Sequence, residues 1–309
     1  RSLSRKYQIR NYLRLIHLYM MTTNVFCIGE VLWDVLPTGK LLGGAPFNVS
    51  FHLQQAGIHS KVISQVGNDP LGEEIRTAFD TWSLSQDFLF THPSLPTSQV
   101  TVELDEKGKA SYVIHQPVAW DEIQIPEVDS LQLDVLVFGS LACRSETTKK
   151  TVIACKNKAN YTVFDINLRA PFYSKEAIED LASSVNLMKM NDEELELLKS
   201  WFCPKEAEFE QKMRNLQAQF GWETCLVTCG AEGAYVLESD KIFFVPSVPV
   251  VVVDTIGSGD AFLAGFLASK LKGFPVDICL QKAATLAAFI TNNKGAIHEH
   301  TDTIQLDLN

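Results

Sequence analysis

The sequence contains no apolar run of about eighteen residues, no CxxC cysteine pair and no excess of basic residues. The first absence predicts that no helix crosses a membrane. The second, with seven cysteines placed mostly in apolar segments, favours buried reduced thiols over disulfides or a zinc site, and so a cytoplasmic location. A formal net charge of −10 argues against a nucleic-acid partner, because such binding requires a basic surface.

Two nucleotide-binding signatures are also missing from the chain. The absence of GxxxxGK[ST] excludes a P-loop, and the absence of GxGxxG after the first apolar run argues against an NAD-linked oxidoreductase. With 309 residues, 46% of them hydrophobic, the chain can still bury a full α/β core. Any phosphate that so acidic a protein binds must be held by local features.

The first twenty residues hold five basic residues and no acidic one. This composition resembles an organelle transit peptide or an interfacial basic helix. The stronger interpretation is that Met21 begins a cytosolic protein and that the preceding residues come from an upstream extension of the reading frame. We therefore expect residues 1–23 to form a basic leader outside the fold, and residues 24–309 to form one main domain.

From Asn24 onwards, short apolar runs rich in β-forming residues alternate with amphipathic helical segments. This alternation predicts βαβ units and a mostly parallel sheet covered by helices. One stretch, residues 97–116, breaks the pattern with two alternating runs around a Glu-Lys-Gly turn, which predicts an antiparallel hairpin. Its apolar face must cover something, and the sequence leaves open a partner subunit, a binding cleft or a plain surface position.

The most informative segment is apolar up to Val253, where we expect a strand, and it continues through residues 254–260 into a helix. Gly257 and Gly259 therefore lie at a helix N-terminus. Unpaired backbone N–H groups and the positive end of the helix dipole suit a phosphoryl group there. Asp260 would stand beside that group, although in isolation an Asp at this place is more often a simple helix N-cap.

A second glycine motif, GGAPFNVS, begins at Gly43 and opens a predicted helix that ends near Gly57, before a strand that ends at Gly67. Two adjacent glycines let the backbone approach a polyhydroxyl ligand closely. The amide of Asn48 offers both a hydrogen-bond donor and an acceptor. On its own this motif would pass for an ordinary turn.

Together the two motifs resemble both signatures of the pfkB, or ribokinase-like, family of carbohydrate kinases. Other features of that family occur in the expected order, at Gly29, Glu30, Asp34, Asp165, Asn167, Arg169, Asn191, Glu194 and residues 228–233. The resemblance covers about residues 24–296. It implies a three-layer α/β fold with a mostly parallel central sheet, helices on both faces, and a small β lid with strands around 31–42 and 97–117.

The resemblance also implies the parts of an ATP-dependent phosphoryl transfer. Asp260 is expected to be the general base, with the transferred group held at Gly257, Ser258 and Gly259. The residues implied for the acceptor sugar are Asp34, Gly43, Gly44, Asn48 and Arg169. The residues implied for ATP are Asn191, Thr228, Gly230, Gly233 and Asn293. Glu194 is expected to act indirectly on Mg²⁺, and a K⁺ ion, which many family members use, is expected at Asp254, Ile256 and Gly295.

Three of these residues have an alternative interpretation. Asn191 followed by Glu194 also fits a capping box, which would start a helix in any protein. Arg169 either ends a strand or supplies a cation for a phosphate or an acidic substrate.

The segments GEVLWD, GGAPFN, GSLA and DINLR resemble those of fructokinases more than those of ribokinases or nucleoside kinases. We therefore expect phosphorylation of a hydroxymethyl group of a small sugar, with D-fructose as the acceptor. The enzymatic alternative is a 2-keto-3-deoxygluconate kinase, whose acidic substrate would pair with Arg169. The alternative from another class is a catalytically silent sugar-binding paralogue, and a homodimer through the lid is compatible with either.

Overall fold

The computed structural model describes residues 23–36, 39–104 and 110–308, so that the expected leader and the tip of the hairpin lie outside the described residues. The strands are β1 (Val25–Ile28), β2 (Leu32–Leu36), β3 (Gly39–Gly43), β4 (Ser60–Gly67), β5 (Leu89–His92), β6 (Gln99–Leu104), β7 (Ala110–Ile114), β8 (Val135–Gly139), β9 (Tyr161–Asp165), β10 (Leu187–Asn191), β11 (Thr224–Thr228), β12 (Ala234–Glu238) and β13 (Lys241–Val245). The helices are α1 (Ala45–Gln55), α2 (Pro70–Thr81), α3 (Glu146–Lys158), α4 (Lys175–Ala182), α5 (Asp192–Phe202), α6 (Phe209–Phe220), α7 (Ser258–Leu271), α8 (Val276–Thr291) and α9 (Asp302–Leu308).

The large sheet has the strand order β13-β12-β11-β10-β9-β8-β1-β4-β5. Neighbours from β11 to β5 run parallel, and only the β11–β12 and β12–β13 pairs are antiparallel. Parallel strands need crossover connections, which the alternating helices supply. The mostly parallel sheet predicted from the alternation is therefore confirmed.

Successive residues of the central strands face opposite sides of the sheet and build two separate cores. Phe26 and Ile28 pack with residues of α3 to α6, whereas Val25 and Cys27 pack with residues of α1, α7 and α8. A strand buried on both faces reads as a continuous apolar run, which explains why the sequence shows no polar alternation there. Helices cover both faces, as the resemblance implied.

The predicted hairpin is present as β6 and β7, and it joins β2 and β3 in a separate four-stranded sheet with the order β3-β2-β6-β7. β2 pairs with β6 in parallel and with β3 in antiparallel fashion. The two segments expected to form a lid therefore lie in one sheet. Within the described residues, no helix has the length and apolar character needed to cross a membrane.

The prediction of a strand that ends at Val253 is wrong. Residues 246–253 form no strand, and Val251, Val252 and Val253 are exposed to 75%, 65% and 57%. Pro246 and Pro249 have no N–H group to donate to a ladder, and proline is confined to sheet edges. The apolar run instead follows β13 as an extended segment that leads to α7.

Candidate active site

The N-terminus of α7 is built on a glycine that no other residue could replace without strain. Gly257 is the N-cap, with φ +76° in the left-handed region. A Cβ atom there would overlap Ala296, so the close packing of the loop against residues 295–296 requires glycine. The first turn of α7, whose backbone N–H groups lack partners within the helix, therefore lies beside a closely packed loop.

Asp260 is the third residue of α7 and not its N-cap, because the cap position belongs to Gly257. Its carboxylate is only 8% exposed and accepts a hydrogen bond of 2.8 Å from Nδ2 of Asn48. Burial raises the pKa of Asp260 to about 6, and the nearby charge of Asp165 adds to this shift. The helix-capping explanation for Asp260 is thus inconsistent with the geometry.

The buried ammonium group of Lys189 lies directly behind the glycine loop, which comprises residues 257–259. Lys189 donates to both carboxylate oxygens of Asp165, at 2.9 and 3.1 Å, and both side chains are buried. A Cβ atom on Gly259 would lie 3.2 Å from Nζ of Lys189. Burial acts to lower the pKa of Lys189, but the carboxylates of Asp165, Asp260 and Glu194 together raise it above its usual value. The loop is therefore backed by a permanent positive charge.

Sequence reasoning did not single out Lys189. The available signal was one lysine within the apolar run LMKM of β10, since a charged residue in a buried strand requires a partner. That partner, Asp165, is its register neighbour on β9.

The capping box at the start of α5 is confirmed. Oδ1 of Asn191 accepts from the N–H of Glu194 at 2.7 Å, and Oε2 of Glu194 accepts from the N–H of Asn191 at 2.8 Å. Oε1 of Glu194 also accepts from the N–H of Leu168, at 2.8 Å. Both carboxylate oxygens of Glu194 thus accept hydrogen bonds from backbone N–H groups, which connects the loop after β9 to the start of α5.

On the other side of Asp260, two buried oxygen atoms have no hydrogen-bond partner. They are Oδ1 of Asn48 and Oε2 of Glu30, which lies just after β1. Burial raises the pKa of Glu30 to about 7, the charge of Asp260 acts in the same direction, and Arg169 opposes it. The sequence marked Glu30 only as a family feature, yet the structure places it within electrostatic range of Asp260.

Asp34 projects from β2 against the first glycine of the GG pair. A Cβ atom on Gly43 would lie 2.6 Å from Oδ2 of Asp34, and one on Gly44, with φ +114°, would overlap the carbonyl oxygen of Glu30. Burial raises the pKa of Asp34 to about 6, against the opposing charge of Arg169. Arg169 is exposed, and its Nη1 donates to the carbonyl of Leu168 at 3.0 Å.

A cleft of about 700 Å³ opens on the opposite side of the glycine loop. Its lining includes Asn191, Thr228, Gly230, Gly233, Ser258 and Gly259. Its apolar wall, which the sequence did not reveal, includes Val248, Val250, Val252, Phe262, Ala284 and Ala288. Asn293 is not among the lining residues, and its Nδ2 donates instead to the carbonyl of Phe289 at 2.7 Å.

The residues expected around K⁺ are brought together by one carboxylate. Oδ1 of Asp254 accepts from the N–H of Ile256 at 3.0 Å, and Oδ2 accepts from the N–H of Gly295 at 2.9 Å. Within the described part of the chain, no group of three or more His, Cys, Asp or Glu side chains is arranged to hold a metal ion.

Comparison with known proteins agrees with this geometry. The fructokinase of Klebsiella pneumoniae is 28% identical over 303 residues, which cover 90% of this chain and 96% of that protein. A Pyrococcus horikoshii protein named as a sugar kinase is 30% identical over 296 residues, with 87% and 90% covered. The structure of Vibrio cholerae fructokinase with fructose, ADP and calcium bound matches with a TM-score of 0.78 at 25% identity, over 89% of this chain and 95% of that one.

The sequence profile of the pfkB family carbohydrate kinases matches residues 15–303, which include both glycine motifs and both sides of the cleft. The chain belongs to the pfkB family of carbohydrate kinases.

Proposed function

We propose that the protein transfers the γ-phosphoryl group of ATP to a hydroxymethyl group of a small neutral sugar, with D-fructose, converted to fructose 6-phosphate, as the preferred acceptor. One observation carries this proposal: Asp260 is a buried carboxylate at a helix N-terminus, with a wide cleft on one side and unsatisfied buried acceptors on the other. That is the arrangement that in-line transfer between a nucleotide and a hydroxyl group requires.

Asp260 is the general base in this mechanism. Its pKa of about 6 keeps it ionised at neutral pH, while it remains basic enough to take a hydroxyl proton as the new P–O bond forms. The hydrogen bond from Asn48 occupies Oδ2 and fixes the orientation of the carboxylate. Oδ1 is thereby left to receive the proton.

The charge that develops on the transferred group meets the first turn of α7. In this proposal Gly257, Ser258 and Gly259 hold it, and Lys189 adds a positive charge from behind the loop. The N–H of Ser258 also donates to the carbonyl of Thr255, at 3.3 Å. Mg²⁺, when bound, would neutralise phosphate oxygens of ATP. Glu194 fits only an indirect role, because both its oxygens already accept from backbone N–H groups. A K⁺ ion would be held by backbone carbonyl groups near Asp254, Ile256 and Gly295, because the Asp254 carboxylate already accepts from the N–H groups of the two loops.

ATP occupies the 700 Å³ cleft in this proposal. Its apolar wall of valines and alanines suits a purine base, and Thr228, Gly230 and Gly233 lie beside it. Asn191 lines the same cleft near the glycine loop. The side chain of Asn293 does not line the cleft, since it donates to the carbonyl of Phe289, and only the segment around it is proposed to lie beside the base.

The proposed sugar-acceptor side of the site contains Glu30, Asp34 and Asn48. It favours a ligand that donates hydrogen bonds and carries no negative charge. Oε2 of Glu30 and Oδ1 of Asn48 are buried acceptors without partners, and the hydroxyl groups of a sugar can satisfy both. The charge of Asp260 acts on two further carboxyl groups there, those of Glu30 and Asp34. The relatives from Klebsiella and Vibrio carry the name fructokinase, which supports fructose within this class.

One observation favours an acidic sugar instead, such as 2-keto-3-deoxygluconate. The guanidinium of Arg169 is exposed and lies within electrostatic range of the acceptor side. A single exposed cation is screened by water, whereas the carboxylates that it faces are largely buried. The neutral sugar is therefore the better supported acceptor.

A panel of sugars, neutral and acidic, incubated with Mg-ATP tests the proposal. ADP release is followed by a coupled assay, and the phosphorylated product is identified by mass and by NMR. We expect fructose to give the highest kcat/KM, with phosphate on its terminal hydroxymethyl group. A protein that binds sugar but releases no ADP with any acceptor would be a silent binding paralogue, and a preference for an acidic sugar would favour the alternative.

A further inference from the structure

Two buried histidines form a hydrogen-bonded pair near residue 296, which packs against the glycine loop. His52 lies on α1, one turn after Asn48, and His300 precedes α9. Nδ1 of His52 lies 3.0 Å from Nε2 of His300, and Nε2 of His52 lies 2.9 Å from the carbonyl oxygen of Ala296. The two rings stack with their centroids 5.3 Å apart at an angle of 12°. His52 is fully buried and His300 is 3% exposed.

The direction of these hydrogen bonds follows from the carbonyl group. A carbonyl oxygen only accepts, so Nε2 of His52 must carry a proton, and in the neutral ring Nδ1 is then bare. Nδ1 then accepts from His300, whose Nε2 is the protonated nitrogen. Burial lowers the pKa of His52 to about 3 and that of His300 to about 4, so both rings are neutral at pH 7. The chain of donors therefore runs from His300 through His52 to Ala296.

Ala296 is packed against the loop that holds the transferred phosphoryl group. Its Cα and Cβ atoms fill the space beside Gly257 that a side chain would need. Its neighbour Gly295 donates to the carboxylate of Asp254, and Thr291 donates to the hydroxyl of Ser258 at 3.1 Å. Residues 291–296 thus support the glycine loop, with Thr291 also lining the cleft proposed for ATP.

α1 contacts both halves of the catalytic machinery through residues one turn apart. Asn48 holds the carboxylate of Asp260, and His52, four residues later on the same face, holds the carbonyl of Ala296. We propose that His52, supported by His300, is a positioning residue that fixes the glycine loop relative to the general base. This inference rests on the proposed phosphoryl transfer and adds to it a residue that touches neither substrate.

The test compares His52→Gln with His52→Asn, and uses His59→Asn, an exposed position, as the matched control. The amide nitrogen of Gln reaches about as far as Nε2 of His and can still donate to Ala296, whereas that of Asn is one bond too short. We expect His52→Asn to lower kcat roughly ten- to a hundredfold, because small misplacements of a catalytic group are costly. KM for sugar and for ATP should change by less than about threefold, and His52→Gln should recover most of kcat.

All variants are assayed well below their melting temperatures, with wild-type activity measured first. If wild-type protein phosphorylates no acceptor, the proposed function fails, whatever the variants do. If it is active, equal activity of His52→Asn and wild type, or equal loss in the Gln and Asn variants, overturns the positioning role. A large rise in KM with unchanged kcat would also overturn it.

A measurement on unmodified protein keeps the inference testable if His52→Asn does not fold. Spectra of protein labelled with ¹⁵N-histidine should show the His52 ring, assigned by its loss in His52→Gln, with Nε2 protonated and Nδ1 bare between pH 5 and pH 8, and the His300 ring in the same state. A ring at this position with Nδ1 protonated, or one that titrates in this range, would break the donor chain and overturn the inference.

Discussion

The substitution Asp260→Asn should affect catalysis and stability in opposite directions. The pKa of Asp260 is raised from the usual 3.8 to about 6, first by burial and then by Asp165. At about 1.4 kcal/mol per unit of pKa, the ionised carboxylate destabilises the folded protein by roughly 3 kcal/mol at pH 7. Asn removes that charge, keeps the shape, and can still accept from Nδ2 of Asn48 through its carbonyl oxygen. Lys189 keeps Asp165 as its partner.

We therefore expect Asp260→Asn to lower kcat by roughly 10² to 10⁴, the usual contribution of a general base, while its melting temperature rises by several degrees. The gain in stability should be largest above pH 6. It should vanish as the pH falls towards 4, because wild-type Asp260 then takes up a proton in the folded state and the charge disappears from both proteins.

The assay is steady-state ADP release with the best acceptor, together with thermal unfolding at pH 4.5, 6 and 7.5. Asp277→Asn makes the same chemical change at an exposed first-turn position of α8 and should leave kcat unchanged. Asp260→Asn with turnover within about threefold of wild type would refute the general-base assignment. A variant less stable than wild type at pH 7.5 would refute the view that the buried charge is costly.

Three further predictions follow from the same contacts. Asp34→Ala should raise the sugar KM, with a loss of roughly ten- to a hundredfold in kcat/KM, and leave the KM for ATP unchanged; an unaltered sugar KM would place the acceptor elsewhere. Lys189→Met should destabilise the protein by about 3 to 5 kcal/mol, because Asp165 is left buried and unpaired, and adding Asp165→Asn should restore the melting temperature but not kcat. For wild type, kcat/KM should fall as the pH drops from 7 to 5, because Asp260 and Asp34, with pKa values of about 6, become protonated; a flat profile would contradict this.

The parallel sheet was predictable because strands buried on both faces leave uninterrupted apolar runs, such as those of β1 and β8. The same signal misled at residues 247–253, where apolar valines line a cleft and extend into solvent rather than pairing in a sheet. Composition alone cannot distinguish a valine buried by a strand from one placed to contact a ligand.

The glycine motifs were predictable because positive φ and close packing exclude side chains, as at Gly44 and Gly257. The role of Lys189 was not predictable, because it depends on the register between β9 and β10, which places Lys189 beside Asp165. Glu30 was named only as a family feature, since its burial beside Asp260 is a property of the folded chain. Local conformation leaves a trace in the sequence, whereas pairing between distant segments does not.

With the site residues assigned as we propose, the arrangement of charge across the glycine loop explains how an acidic protein can bind both a sugar and a nucleotide. The buried carboxyl groups of Glu30 and Asp34 lie on the acceptor side, where hydroxyl groups can donate to them. The ammonium of Lys189 and the N-terminus of α7 lie on the phosphoryl side. Asp260 stands between these regions, and its pKa is raised by the carboxylate of Asp165 and lowered by Lys189. Its basicity is thus set by the same charges that we propose act on the two substrates, so we expect any change that shifts Lys189 or Asp165 to alter proton transfer before it alters binding.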